Sequence, residues 1–440
     1  MLTMTKKLPG PAVHRRAVVL FTAALLLGLG LPRASAESRQ DEPTSLITSP
    51  GYTRTTASPG PGLTLFTYQN PDDDRVVHVL RADPDAAPLT VESTAGTSGA
   101  RAEKTTDMLK STTGYAPRWP HAGLNGGFWY RQGDTLAFMG ISVQEGVVQS
   151  ASCAAAGRGE AALIQHGRPY IGDFTTHLAV TAPGAAPMPL DGVNRHPGWM
   201  TGCAQGSGAT ADRSIGGGVF ADASEIIAFT SRFKAPTPVP DADARFTEDD
   251  DPGAEAVVAA DGTVLSLNPN GRGGVTVPTG GRVLQGTGTG ADWLRAHATP
   301  GTDLAFEERL HDERFGDDIP LDSSVDVVNG HYPLVHNAQY AYIGENTAVD
   351  PRSAIAVDGP GRTLFVTATG KSGRNGVTLD EFARILLDLG AVDGLNMDGG
   401  GSTTLVVEQA VVNRPSDSTG ERPVADSLYI GHGGYGHYAD

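Results

Sequence analysis

Residues 378–407 read TLDEFARILLDLGAVDGLNMDGGGSTTLVV. Thr378 stands three residues before Glu381, the spacing of a capping box, and Gly390 fits the position just beyond a helix C-terminus. Between them Leu379, Phe382, Ile385, Leu386 and Leu389 recur at spacings of three and four, giving a helix one apolar face. The AVDGLNMD that follows reads as a strand, and TTLVV as another. Asp398 and the glycines Gly399, Gly400 and Gly401 therefore lie on a loop at a strand end. Two residues already make a hairpin turn, so three glycines call for a further reason. They supply positive φ, or a nest of N–H groups able to hold an anionic oxygen.

The common glycine motifs do not fit. A P-loop needs G-x-x-x-x-G-K-[ST], and no lysine follows these glycines; a dinucleotide fingerprint sits between strand and helix, whereas TTLVV reads as strand. A nucleophile elbow needs G-x-S-x-G, but Thr404 stands two residues after Ser402. Nucleotide binding and serine-hydrolase chemistry are both disfavoured.

Outward from this stretch the chain is rich in short β-branched segments bounded by Gly and Pro. RVVHVLRAD (75–83), APLTVEST (87–94), LAFMGISV (136–143), IIAFTSRF (226–233), AEAVVAADGTVLSL (254–267), RVLQGTG (282–288) and RTLFVTATG (362–370) read as strands. Helices are few: EKTTDMLKST (103–112), TGADWLRAH (289–297) and the capped segment above. The expected fold is α+β, a strand-rich mixed sheet body with a few helices in a single main domain. Residues 37–74 are rich in Ser, Thr, Pro and Gly and read as a linker or loosely docked arm ahead of a catalytic body at 75–440.

The first 36 residues have the order of a secretory signal: basic residues, the apolar run AVVLFTAALLLGLGL, then PRASA with cleavage expected after Ala36. A secreted, extracellular product follows, with no stable membrane insertion once the signal is removed. The formal charge is −17, and those 36 residues hold five basic groups and no acidic one, so the remainder is more acidic still. Such a balance argues against nucleic acid as a partner. Cys153 and Cys203 suit one structural disulfide in an oxidising compartment. The acidic runs at 72–74 and 248–251 lack EF-hand spacing and read as solvated loops. No dedicated ligand cluster appears and no cofactor is expected, although Asp398 beside backbone carbonyls leaves a divalent cation such as Ca²⁺ open.

Four polar segments stand out at strand ends, where loops build sites on a rigid sheet. They are GLNGGFW (Asn125, Gly126), VVNGHYPLVHN (Asn329, His331), DPRSAIAVDG (Arg352) and NMDGGGSTT (Asn396, Asp398). Each has an ordinary reading as well: a hairpin turn for NGG, a salt bridge for Arg352, a satisfied histidine for His331.

In this order the segments resemble the phosphodiester glycosidase family. The specific part is the pair R-[ST]-A-I and N-x-D-G-G-G-S-[ST] separated by a helix. DGVNR (191–195), VTVPTGGRVLQGTGTGADWL (275–294) and RPVADSLYI (422–430) add weaker matches, so that the likeness runs over about 75–431. Around VVNGHYPLV this sequence departs from the family's glycine-richer turn. The resemblance implies hydrolysis of a sugar-1-phosphodiester in a glycan or glycoconjugate, giving free sugar and a phosphomonoester. Under it, Asp398, Arg352 and His331 are the catalytic candidates, with Arg352 as a bidentate clamp for phosphate. Asn125, Gly126, Asn329, Asn396, Gly399, Gly400, Gly401, Ser402 and Thr403 are the substrate-binding ones. Two further readings stay open: a non-catalytic carbohydrate- or envelope-binding protein, and a glycosidase acting on neutral glycans.

Overall fold

The helix expected at 379–389 forms as Leu379–Asp388 in the computed structural model. The model describes residues 46–112, 120–152, 159–201, 210–212, 219–221, 223–240, 251–344 and 346–432. Thr378 Oγ1 accepts from the Glu381 amide at 3.1 Å and Glu381 Oε2 accepts from the Thr378 amide at 2.9 Å, so the capping box is complete. Thr378→Ala should therefore cost about 1 kcal/mol, read as a lower urea midpoint at unchanged slope. An unaltered midpoint would show that sheet packing alone holds the helix.

The helix lays Leu379, Phe382, Ile385 and Leu386 on one face of an eight-stranded sheet, against Leu334, Val335, Ala354 and Ala356. That sheet runs in the order Thr53–Gly60, Leu63–Gln69, Arg75–Ala82, Thr363–Gly370, Arg352–Asp358, Ala391–Asn396, Pro333–His336, Gln339–Tyr340. Its opposite face carries Leu80, Ile355, Phe365 and Leu395. These pack on Leu124, Leu405, Leu428 and Ile430 of a five-stranded sheet ordered Ala410–Val411, Leu405–Val407, Pro120–Asn125, Ser427–His432, Leu89–Thr94. Helix, sheet and sheet thus form three layers. The loop at 397–404 is the crossover from the first sheet to the second. A second core, with Phe174, Ile226, Leu284 and Leu294, unites a sheet around Arg168–Thr181 with another containing Ile226–Thr230 and Arg282–Gly286.

The architecture is mostly β, with helices at Thr105–Thr112, Gly288–His297 and Leu379–Asp388 among the described residues. Its pairing is less mixed than expected: only Gly192–Val193 with Ile226–Thr230 is parallel among the described strands. The arm expected over 37–74 is folded from Leu46 onward. Thr53–Gly60 pairs antiparallel with Leu63–Gln69, and that strand with Arg75–Ala82. Its composition misleads because Thr53–Gly60 is an edge strand whose first six residues are exposed, so no apolar alternation marks it. Pro59 is also tolerated there. The signal-like residues 1–36 and both Cys153 and Cys203 lie outside the described residues. No helix among the described residues is long and apolar enough to cross a membrane.

Candidate active site

The crossover loop begins where strand Ala391–Asn396 ends, and each of its three glycines answers a different steric demand. A Cβ on Gly399 would lie 2.9 Å from the Pro351 carbonyl oxygen; Gly400 takes φ +60°; a Cβ on Gly401 would lie 2.0 Å from Nη2 of Arg422. The amides are engaged within the fold. Gly399 N–H donates to Asp398 Oδ1 at 2.9 Å, Gly400 N–H to Pro351 O at 2.8 Å, and Thr403 N–H to Gly400 O at 3.2 Å. Ser402 N–H donates to Gly399 O at 3.1 Å. Of the amides expected to form an anion-facing nest, those of Gly399, Gly400, Ser402 and Thr403 thus have partners within the fold, the last two in the 3₁₀ turn over Gly400–Ser402.

Asp398 is held from both sides. Its amide donates to Gly126 O at 3.2 Å, and its carbonyl accepts from Asn125 Nδ2 at 2.7 Å. Burial pushes its carboxyl up to about 6, against the pull of the Ser402 hydroxyl, the Gly399 amide and the charge of Arg422. The side chain retains some access to solvent although dense protein surrounds it. A carboxylate so placed is ionised near neutrality yet basic enough to accept a proton.

Asn125 is wholly buried, and its amide ties the two sheets together. Oδ1 accepts from Ser353 Oγ at 2.7 Å and from the Thr404 amide at 3.0 Å, while Nδ2 serves Asp398. Both polar atoms of the side chain expected to contact substrate thus have partners within the fold. NGG is not a hairpin turn. Gly126 and Gly127 are glycines for close approach: a Cβ at 126 would lie 2.1 Å from Asp426 Oδ1, and one at 127 would lie 2.4 Å from Asn329 O.

Arg352 is buried, and its guanidinium faces the neighbouring loops. Nη2 donates to Ala348 O at 2.8 Å and lies 3.4 Å from Asp350 Oδ2, and Nε donates to Val377 O at 3.3 Å. Desolvation lowers its pKa, with Asp350 opposing. Arg352 and Asn396 share a sheet face, since Asn396 opposes Ala354 two residues along the strand. Asn396 Nδ2 donates to His331 O at 3.1 Å and the His331 amide returns a bond to Asn396 O at 3.0 Å. The His331 ring lies 3.7 Å from the Tyr332 ring, tilted by 34°, and meets Phe128 edge-on at 6.1 Å. Tyr332 has φ +71°, a region that disfavours bulky side chains. Asn329 Oδ1 accepts from the Phe128 amide at 2.8 Å. All four sequence segments therefore converge.

Two residues in RPVADSLYI escaped selection from sequence. Asp426 is 3% exposed; Oδ1 accepts from the Gly127 amide at 2.8 Å and its main-chain oxygen accepts from the Gly126 amide at 2.9 Å. Burial pushes its carboxyl up to about 7, and the nearby charge of Asp398 adds to the rise. Arg422 pairs bidentately with Asp417, Nε to Oδ2 at 2.8 Å and Nη2 to Oδ1 at 2.9 Å, with its guanidinium over Gly401. The signal available in sequence was a charged residue beside an apolar strand start, which is too common to select. Among the described residues, Asn329 Nδ2, Asn396 Oδ1, Thr403 Oγ1 and Asp426 Oδ2 are buried without a hydrogen-bond partner. No cluster of three metal-ligating side chains occurs among those residues. Asp73 and Asp74 of the first acidic run are engaged by Tyr52, Arg75, Ser372 and Asn375. A separate pocket lined by Leu136, Gln149, Asn194 and Arg232 contains no carboxylate and none of these residues.

Fold and site together define a strand-rich protein with a carboxylate pair gathered where the chain crosses between two packed sheets. Residues 253–431 match the family model described as phosphodiester glycosidase, so the resemblance holds over that segment. Human N-acetylglucosamine-1-phosphodiester alpha-N-acetylglucosaminidase is 36% identical over 69 residues, 16% of this chain and 13% of that protein. The mouse protein of the same name is 27% identical over 142 residues, 28% of this chain and 26% of that one. The matches thus span about a quarter or less of these relatives' length. Among solved structures, a Burkholderia pseudomallei protein described as exported aligns with TM-score 0.67 and 26% identity over 81% of this chain and 74% of that one. A hypothetical protein from Synechocystis aligns at TM-score 0.62 and 17% identity, over 87% and 68%, and shares the fold.

Proposed function

We propose that this chain is a hydrolase of the phosphodiester glycosidase type, cleaving the bond between a sugar's anomeric carbon and the phosphate of a sugar-1-phosphodiester. The observation that carries this reading is Asp398, a largely enclosed carboxylate raised to about 6 on a glycine turn within the family-matched segment. Asp398 takes a proton from water as the water oxygen bonds to the anomeric carbon. The carbon–oxygen bond to phosphate breaks, and its electron pair stays on the phosphate oxygen. Phosphate is already a good leaving group, so the step relies little on a general acid. Asn329 Nδ2 and Asn396 Oδ1, buried near the loop with no partner in the fold, are one donor and one acceptor left to be satisfied. Arg352 fixes the 348–350 and 377 loops that wall the site. The signal-like N-terminus supports action outside the cell.

The test is a panel of methyl hexose- and N-acetylhexosamine-1-phosphodiesters, in both anomers, beside neutral aryl glycosides. Release of free sugar and methyl phosphate from at least one diester, with no turnover of the neutral compounds, is expected. Cleavage of the neutral glycosides alone would make the protein an ordinary glycosidase. Binding without cleavage of any compound would make it a carbohydrate-binding protein.

A further inference from the structure

A phosphodiester carries one negative charge and gains a second as its bond to the anomeric carbon breaks, so its site needs a cation that a substrate can reach. Arg352 is poorly suited: it is 8% exposed, and three oxygens of its own loops already surround its guanidinium. Arg422 differs in each respect. Its side chain is 43% exposed, and its guanidinium occupies the space that any side chain at 401 would fill. Asp417 engages the Nε–Nη2 edge in a fork, which fixes the plane of the group. A guanidinium has five donors, so the Nη1 edge remains for a second anion. The Arg422 charge also reaches Asp398 and holds that carboxyl down against burial.

We propose that Arg422, held over Gly401 and oriented by Asp417, is the residue that binds the anionic phosphodiester group, and that Arg352 is a structural tie. This inference rests on the phosphodiester reading above. It assigns the third glycine of the loop a specific purpose: Gly401 leaves room for the arginine, just as Gly400 supplies the turn. It also places anion and carboxylate on one short stretch of surface, with Asp398 facing the anomeric carbon and Arg422 facing the phosphate.

The experiment measures steady-state kinetics of the full chain on whichever diester the wild type cleaves, using Arg422→Ala, Arg422→Lys and Gly401→Ala. Loss of one charge-assisted contact should raise KM about 10- to 100-fold. Lysine, a point charge without the fork, should recover part of that loss. Gly401→Ala should reproduce the Arg422→Ala defect, since its methyl group displaces the guanidinium while every charge remains. Inhibition by methyl phosphate should weaken in parallel, a change that a merely structural role would not produce. A wild type that cleaves the diester and an Arg422→Ala variant with unchanged KM would overturn the assignment and leave the functional reading intact. A wild type that cleaves no diester would overturn both.

Discussion

Asp398→Asn should lower kcat on a cleaved sugar-1-phosphodiester by about 10²- to 10⁴-fold, the range for loss of a positioned proton acceptor. The fold should survive, because Asp398 is anchored through its main chain: its amide to Gly126 O and its carbonyl to Asn125 Nδ2. An asparagine oxygen can still accept from the Gly399 amide, so the turn need not rearrange. The wild-type acid limb should rise through about pH 6, since the carboxyl must be ionised to take a proton and burial raises it to that value. Wild-type turnover in the asparagine variant, with a cooperative melt, would remove Asp398 from the chemistry.

Asp426→Asn should change the dependence of stability on pH. Asp426 is buried in the native state with its carboxyl raised to about 7, whereas an unfolded aspartate titrates near 3.9. The native protein therefore binds the extra proton. The group's favourable contribution is full below about pH 4 and is lost as pH rises through about 7. Over that window the wild type should lose on the order of 4 kcal/mol through this one group. Asparagine removes the titration, so urea midpoints of variant and wild type should diverge in the variant's favour between pH 5 and pH 8. Asp398 and Asp326 titrate in the same direction, and His78, lowered to about 4 by burial, in the opposite one. The difference between the two proteins cancels those groups except for the coupling of Asp398 to Asp426. Parallel pH curves for the two proteins would show that Asp426 is ionised throughout.

Both predictions concern a pair of carboxylates of which only one could be chosen from sequence. Asp398 is conspicuous because it precedes three glycines, each of which needs an explanation. Asp426 sits in an unremarkable strand start some thirty residues later, and only the pairing of Ser427–His432 with Pro120–Asn125 brings it beside Gly126 and Gly127. Arg352 shows the converse. Its place before a strand makes it look like a clamp, but its guanidinium turns toward the 348–350 loop, where the Ala348 carbonyl and the Asp350 carboxylate engage it.

By itself the sequence determined what local chemistry can determine: the capped helix at 379–388, the strands bounded by Gly and Pro, the location of the polar loops, and the likeness to phosphodiester glycosidases. Helix caps, apolar period and turn residues act within a few positions, so they are legible in one dimension. Tertiary structure alone decided which strands neighbour one another, that the edge strand at Thr53–Gly60 belongs to the sheet, and which polar atoms are already taken. Partners hundreds of residues apart, such as Asn125 with Asp398, have no sequence signature. A side chain is free for substrate only if no backbone group from a distant strand has claimed it first.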